Sequence, residues 1–136
     1  DWSSDVCSSD LSTDNEFSHL AWKNTPVNKG GIGNIKYPLV SDITKQISRD
    51  FDVLYADAVA LRGSFLLDKD GTVRHMVLND DALGRNIDEM LRMVDTMLFT
   101  NEHGVVCPAG WNKGQEGMKA NPDGVADYLG KNADKL

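Results

Sequence analysis

The residues of this chain best suited to covalent chemistry are its two cysteines, Cys7 and Cys107. Two thiols cannot build the disulfide framework of a small secreted domain, so any cysteine chemistry here is redox or nucleophilic. Cys107 sits in Val105-Val106-Cys107-Pro108-Ala109-Gly110-Trp111. On residue type alone two readings stand: a small buried hydrophobe, since free cysteines are among the most buried residues, or a reactive thiol, which needs a thiolate-stabilising or exposed setting. Other candidate centres are weaker. His19, His75 and His103 are scattered, without the Cys/His spacing of a zinc site, so no metal is expected and each reads as structural or solvent-facing. Asp68-Lys69-Asp70-Gly71 resembles the opening of a calcium loop, but Asn79 stands where the bidentate glutamate belongs, which favours a hairpin turn. Gly30-Gly31-Ile32-Gly33 has neither a following Lys-Ser/Thr nor a helix start, which excludes a P-loop. Asp80-Asp81 reads as a solvated turn.

The elements that must position these residues follow from periodicity and capping. Thr13-Asp14-Asn15-Glu16 has capping-box spacing and predicts a helix with Phe17, Leu20 and Ala21 on one face, ending before Pro26. Residues 27–36 have no periodicity and read as a loop leading to a short apolar piece from Tyr37 to Val40. Asp42 then caps a short helix carrying Ile43, Ile47 and Phe51, which ends near Asp52. Residues 62–67 and 72–78 are apolar and β-prone, and the Asp68-Lys69-Asp70-Gly71 turn between them predicts a hairpin. Asn86, with Glu89 three residues on, starts a long helix whose stripe is Ile87, Met90, Leu91, Val94, Met97 and Leu98, with Gly104 as C-cap. This order suggests an α/β layer. Residues 105–136 are rich in Gly, Asn, Asp and Lys and read as an extended arm outside the core, anchored by Val105, Val106, Trp111, Tyr128 and Leu129.

Composition narrows the function classes. The 136 residues hold 21 acidic and 14 basic side chains, a net charge of −7, with 40% apolar and 26% charged residues, near the average for globular chains. Basic residues are isolated in an acidic background, which argues against nucleic-acid or anionic-lipid partners. Wholly apolar runs reach four residues at most, as in Ala58 to Leu61, far short of a membrane span. The opening Asp1-Trp2-Ser3-Ser4-Asp5-Val6-Cys7-Ser8-Ser9-Asp10-Leu11 has no basic or apolar region of a signal peptide. It is similar to a translated sequencing-library adapter, so residues 1–11 are set aside as non-native. Setting it aside removes three acids and leaves 18 against 14 basic groups, net −4. The remainder is then expected to be the C-terminal part of a longer protein.

Taken with its flanks, the Cys107 segment closely resembles the resolving-cysteine segment of typical 2-Cys peroxiredoxins, in particular those of the bacterial alkyl hydroperoxide reductase type. Ser12-Thr13-Asp14 with Phe17-Ser18-His19-Leu20-Ala21-Trp22, then Tyr37-Pro38-Leu39-Val40-Ser41-Asp42, resemble successive strand and helix starts of that family. Ala60-Leu61-Arg62-Gly63-Ser64-Phe65-Leu66-Leu67-Asp68 resembles its arginine-bearing strand, and Gly84-Arg85-Asn86 to Leu91 its final helix. The likeness covers residues 12–129. It implies a thioredoxin-like α/β fold lacking its N-terminal strands and helices, over residues 12–104, with a C-terminal arm over 105–136.

The same resemblance implies a thiol-dependent peroxidase, with no cofactor, acting on hydrogen peroxide and alkyl hydroperoxides. Arg62 matches the family's peroxide- and thiolate-stabilising arginine, a guanidinium that stays charged and offers a fixed fork of donors. Cys107 matches the resolving cysteine, which forms an intersubunit disulfide later reduced by a thioredoxin-like or flavoprotein reductase. The peroxidatic Pro-x-x-x-Thr-x-x-Cys segment has no match, Cys7 having Ser4 in the threonine position, so this chain is expected to be inactive alone. Gly30-Gly31-Ile32-Gly33 and Tyr128-Leu129 resemble the loop and helix motifs of easily overoxidised members, although Leu129 replaces a phenylalanine. Homodimers, assembled into rings of five, and a cytoplasmic location are expected of the intact protein. The competing expectation, from another class, is a non-catalytic scaffold or holdase-like domain using exposed apolar surface.

Overall fold

A computed structural model describes residues 7–135. The chain runs β1 (Asp10–Ser12), α1 (Glu16–Asn24), a 3-10 turn (Val27–Lys29), β2 (Leu39–Ser41), α2 (Gln46–Asp50), β3 (Leu54–Tyr55) and β4 (Val59–Ala60). It continues through β5 (Arg62–Leu67), β6 (Val73–Asn79), α3 (Ile87–His103), α4 (Pro122–Asn132) and a closing 3-10 turn (Ala133–Lys135). The strands form three two-stranded sheets, β1-β2, β3-β4 and β5-β6. Two compact units result. One runs to Gly63 and takes in Leu78–Gly84; the other comprises Ser64–Val77 and the chain from Arg85 onward.

In the first unit β1 and β2 pair in parallel, with Leu11 opposite Val40. The strand begins at Asp10, inside the segment set aside as non-native, whose residues 1–6 lie outside the described part. Backbone pairing explains this difference: the ladder bonds use N–H and C=O groups, so the edge of β2 accepts any extended residues placed beside it. Helix α1 is capped one residue before Glu16, by Asn15, whose side chain accepts from the Ser18 N–H at 2.9 Å. The capping residue is therefore not Thr13; both positions suit the role, and the extended backbone of Asn15 puts its oxygen over the first turn. The face carrying Phe17 and Leu20 is open, Phe17 being 74% exposed, while His19 is buried. Periodicity tells which side chains share a face and not whether the chain itself covers that face.

Asp42 anchors the rest of this unit. Its carboxylate, only 2% exposed, accepts from the Ser48 N–H and hydroxyl, both at 2.7 Å, and from the Ile47 N–H at 3.1 Å. Burial works against its ionisation, yet these donors outweigh that effect and hold its pKa below the ordinary aspartate value. The helix it serves is shorter than the apolar spacing suggests. It starts at Gln46 after Lys45, a left-handed residue with φ 61°, so Ile43 lies outside it. Val53, buried at 6% exposure, receives a backbone bond from Leu61 across the β3-β4 ribbon. That ribbon has no glycine at its tip: Ala56 and Asp57 both take positive φ, 50° and 53°, which hides the turn from a search for Gly or Asn-Gly signals.

The β5-β6 hairpin and α3 match their sequence readings. Asp68 closes the hairpin by accepting from the Asp70 and Thr72 N–H groups, each at 3.0 Å, and pairs with Arg74. Asn86 caps α3 through the Glu89 N–H, and Gly104, with φ 64°, ends it. The reading of residues 105–136 as an extended arm outside the core is corrected. This stretch holds Trp111, at 1% exposure the most buried large side chain among the described residues, an antiparallel bridge between Val106 and Met118, and helix α4. Two tight turns account for its composition. Trp111 N–H donates to the Pro108 carbonyl and Gln115 N–H to the Asn112 carbonyl, with Gly110 (φ 70°) and Gly114 (φ 93°) at the third positions. Glycine density there marks turns that fold the segment back, rather than loose chain. Among the described residues no helix is long and apolar enough to cross a membrane.

Candidate functional site

Cys107 lies in the second unit, directly after the residue that starts the Val106 to Met118 bridge, where backbone bonds of 2.9 and 2.8 Å tie the two ends together. Between them the chain makes its two turns and inserts Trp111 against α3. The indole ring centroid is 4.8 Å from that of Phe99, and the indole N–H donates to the Gln115 carbonyl at 3.1 Å. Packing here leaves no slack at Gly117. A Cβ at that position would lie 2.6 Å from Val105 Cγ2 and 3.0 Å from Phe99 Cε1.

Helix α3 presents one face to this segment. Arg92, Asp95 and Phe99 recur at intervals of three and four residues, and each makes a contact with it. Arg92 Nη1 donates to the Trp111 carbonyl at 2.6 Å, Lys113 donates to Asp95 at 2.9 Å, and Phe99 receives the indole. Arg92 is itself aimed by Glu89, which accepts from Nε at 2.6 Å and Nη2 at 2.7 Å in the two-pronged geometry that guanidinium and carboxylate favour. Those hydrogen bonds from Arg92 hold the Glu89 pKa down, with the nearby charges of Arg92 and His75 adding to the effect against partial burial.

The Cys107 thiol is half-buried, and burial pushes its pKa up, with the positive charge of Arg92 acting in the opposite direction. The net effect disfavours the thiolate at this position. Cys7 is exposed.

Arg62 opens β5 in the first unit. Its Nε donates to the Asp81 carbonyl at 2.8 Å, which fixes one edge of the guanidinium while the side chain stays exposed. Gly30, Gly31, Ile32 and Gly33 also belong to the first unit and wrap the C-terminal end of α1. Gly30 and Gly33 have φ of 87° and 65°, and a Cβ on Gly31 would run into the Thr25 carbonyl. Ile32 N–H donates to the Trp22 carbonyl, and the Trp22 indole donates back to Gly30. Tyr128 and Leu129 lie on α4 in the second unit, Tyr128 half-buried and Leu129 exposed.

His19 Nε2 is 2.6 Å from the Ser12 hydroxyl, and His103 stacks on Phe99 at 4.4 Å. Arg92 is the residue of this site that residue-by-residue reading misses. Glu89 and Arg92 at i and i+3 are a usable signal for the ion pair, and Trp111, read from the sequence as an anchor, packs against Phe99 of α3.

Residues 6–76 match the AhpC/TSA family, and residues 97–131 match the C-terminal domain of 1-Cys peroxiredoxin. The chain belongs to the AhpC/TSA family of thioredoxin-like peroxiredoxins. It is 64% identical over 126 residues to alkyl hydroperoxide reductase C of Helicobacter pylori J99, a match covering 93% of this chain and 64% of that protein. It is 46% identical to the chloroplastic 2-Cys peroxiredoxin BAS1 of Hordeum vulgare, covering 88% of this chain and 57% of that one. Among solved structures, the reduced 2-Cys peroxiredoxin of Plasmodium vivax superposes with a TM-score of 0.87 at 50% identity, covering 90% of this chain and 63% of its own. The chain thus spans somewhat under two thirds of the length of these relatives.

Proposed function

We propose that this chain carries the resolving half of a thiol-dependent peroxidase of hydrogen peroxide and alkyl hydroperoxides. Cys107 is the resolving cysteine, and Arg62 stabilises the peroxide and the thiolate that attacks it. The observation that carries this reading is the setting of Cys107, half-buried in a segment held to α3 by side-chain contacts, where burial disfavours the thiolate. A cysteine that attacks peroxide needs the opposite setting, a low pKa. A resolving cysteine instead waits until an electrophilic sulfur arrives.

The chemistry balances without a cofactor. A peroxidatic thiolate attacks the O–O bond, becomes a sulfenic acid and releases water or an alcohol. The Cys107 sulfur then attacks that sulfenic sulfur; the S–O bond breaks, the S–S bond forms, and water leaves. The two thiols have supplied the two electrons, and a thioredoxin-like or flavoprotein reductase returns them by thiol–disulfide exchange. In this reading the peroxidatic group comes from a Pro-x-x-x-Thr-x-x-Cys segment that the 136 residues lack, and the disulfide joins subunits of a cytoplasmic homodimer that assembles into rings.

Two measurements test this. The 136-residue chain, given peroxide and a thiol reductant, is expected to show no turnover; rapid Cys107-dependent turnover overturns the assignment. In a version that includes the peroxidatic segment, Cys107→Ser is expected to abolish the peroxide-induced intersubunit disulfide on a non-reducing gel. A persistent band removes Cys107 from the role.

The Gly30, Gly31, Ile32, Gly33 loop and the Tyr128-Leu129 pair are proposed to slow the local unfolding that joins the two cysteines, which favours overoxidation. Loss of peroxide sensitivity on deleting residues 122–136 is the expected outcome. The strongly exposed Phe17, Val27 and Met76 favour a second reading, a holdase-like surface for unfolded chains. Suppression of client aggregation by the 136-residue chain, lost when these residues are made polar, is what that reading requires.

A further inference from the structure

We propose that Arg92 is the positioning residue of the Cys107 segment, a latch whose guanidinium, aimed by Glu89, holds the Trp111 carbonyl and so keeps Cys107 docked on α3. Its significance for catalysis rests on the reading of Cys107 as the resolving thiol, because a resolving thiol must leave its docked position to reach its partner sulfur.

The geometry singles out Arg92 from the other contacts. A guanidinium offers five N–H donors in a rigid fork, and here two edges are used at once: Nε and Nη2 on Glu89 at 2.6 and 2.7 Å, and Nη1 on the Trp111 carbonyl at 2.6 Å. That carbonyl lies four residues beyond Cys107, within the first of the two turns that begin at Pro108. Its release frees the turn that fixes the thiol. The neighbouring Lys113 to Asp95 pair is a lesser tie, because the lysine is largely exposed and solvent-screened. The Arg92 pair is more sheltered, with the arginine side chain 25% exposed. The indole stacking on Phe99 supplies packing but no direction.

The charged and titratable groups around the latch are few. Glu89 faces it from α3 and Cys107 from the segment, His75 of β6 acts on Glu89, and Lys113 and Asp95 form the separate pair between segment and helix. Docking and charge have opposite effects on the thiol. Burial in the docked segment raises its pKa and the Arg92 charge lowers it, so removing the arginine discriminates between a latch and a simple electrostatic partner.

The test follows alkylation of Cys107 by iodoacetamide in the 136-residue chain as a function of pH, with peptide mass spectrometry separating Cys107 from Cys7. Arg92→Met is expected to raise the alkylation rate at neutral pH roughly tenfold, the scale set by a charge-assisted hydrogen bond. The midpoint of its pH profile should fall toward that of a free cysteine, because burial is relieved. Arg92→Lys keeps the charge without the fork and is expected to behave like Arg92→Met. Glu89→Gln, which leaves the arginine but disorders its aim, should give a smaller rise in the same direction, and it serves as the readout if Arg92→Met loses its helical circular dichroism. Slower alkylation with an upward midpoint in Arg92→Met, restored by Arg92→Lys, overturns the latch in favour of charge alone. Unchanged rates in Arg92→Met or Glu89→Gln overturn it outright. The two proposals fail separately: if Cys107 is not the resolving thiol, the alkylation response persists while the intersubunit disulfide survives Cys107→Ser.

Discussion

Removing the indole of Trp111 is expected to undo the fold of the whole 105–119 segment. The side chain is 1% exposed, stacks on Phe99 with centroids 4.8 Å apart, and donates to the Gln115 carbonyl at 3.1 Å. A buried tryptophan covers some 150–250 Å² of surface, which at about 25 cal/mol per Å² amounts to roughly 4–6 kcal/mol. Measured truncations of buried tryptophan to alanine, about 3–5 kcal/mol, fall in the same range. Trp111→Ala should therefore lower the local opening free energy by about 3–5 kcal/mol. Hydrogen exchange reads this directly, because the amides of Val106 and Met118 are protected by the bridge between them. Their protection should fall by at least about two orders of magnitude, the lower end of that range. Trp111→Phe keeps the ring on Phe99 and loses the indole donor, leaving the Gln115 carbonyl unpaired, so a loss of about 1–3 kcal/mol is expected. A loss below about 1 kcal/mol in Trp111→Ala, or equal losses in the two variants, refutes the account of Trp111 as the anchor of the segment.

Gly117→Ala forces a Cβ to within 2.6 Å of Val105 Cγ2 and should cost about 1–3 kcal/mol, read from the same two amides. Gly104→Ala places an alanine at φ 64° and should cost about 1 kcal/mol of α3 stability by urea titration, whereas Gly104→Asn should cost less. Asp42, Asp68 and Glu89 all have pKa values lowered in the folded state, so their contribution is full above the ordinary values of 3.8 and 4.5 and is lost as pH falls through the lower folded ones. Thermal unfolding should accordingly shift little between neutrality and about pH 5 and fall steeply below it; Asp42→Asn should flatten part of that acid limb, and an unchanged limb would contradict the assignment.

Local signals carried much of this protein into view. The Asn86 cap, the apolar stripe of α3 and Gly104 defined a helix that the structure reproduces, because caps and periodicity are written within a few consecutive residues. The Asp68 to Gly71 turn did the same for the β5-β6 hairpin. The motif around Cys107 led to the family, because it is a distinctive run of residue types in consecutive positions. Helix α4 was also legible in principle. Asn121 caps it and Pro122 opens it, a start signal that the glycines at 124 and 130 obscured.

What the sequence by itself determined, then, was the long helix α3, the β5-β6 hairpin, the approximate place of α1, the cysteine motif and the family to which they point. Tertiary structure alone decided how deeply and against which ring Trp111 packs, that Arg92 reaches its carbonyl 19 residues away, and that burial disfavours the Cys107 thiolate. Burial and pKa are properties of surroundings assembled from distant residues, and no local pattern encodes them. The same reason leaves Phe17 and Leu20 on an open face despite their regular spacing: amphipathicity records which side a helix would bury, and the neighbours in space decide whether it does.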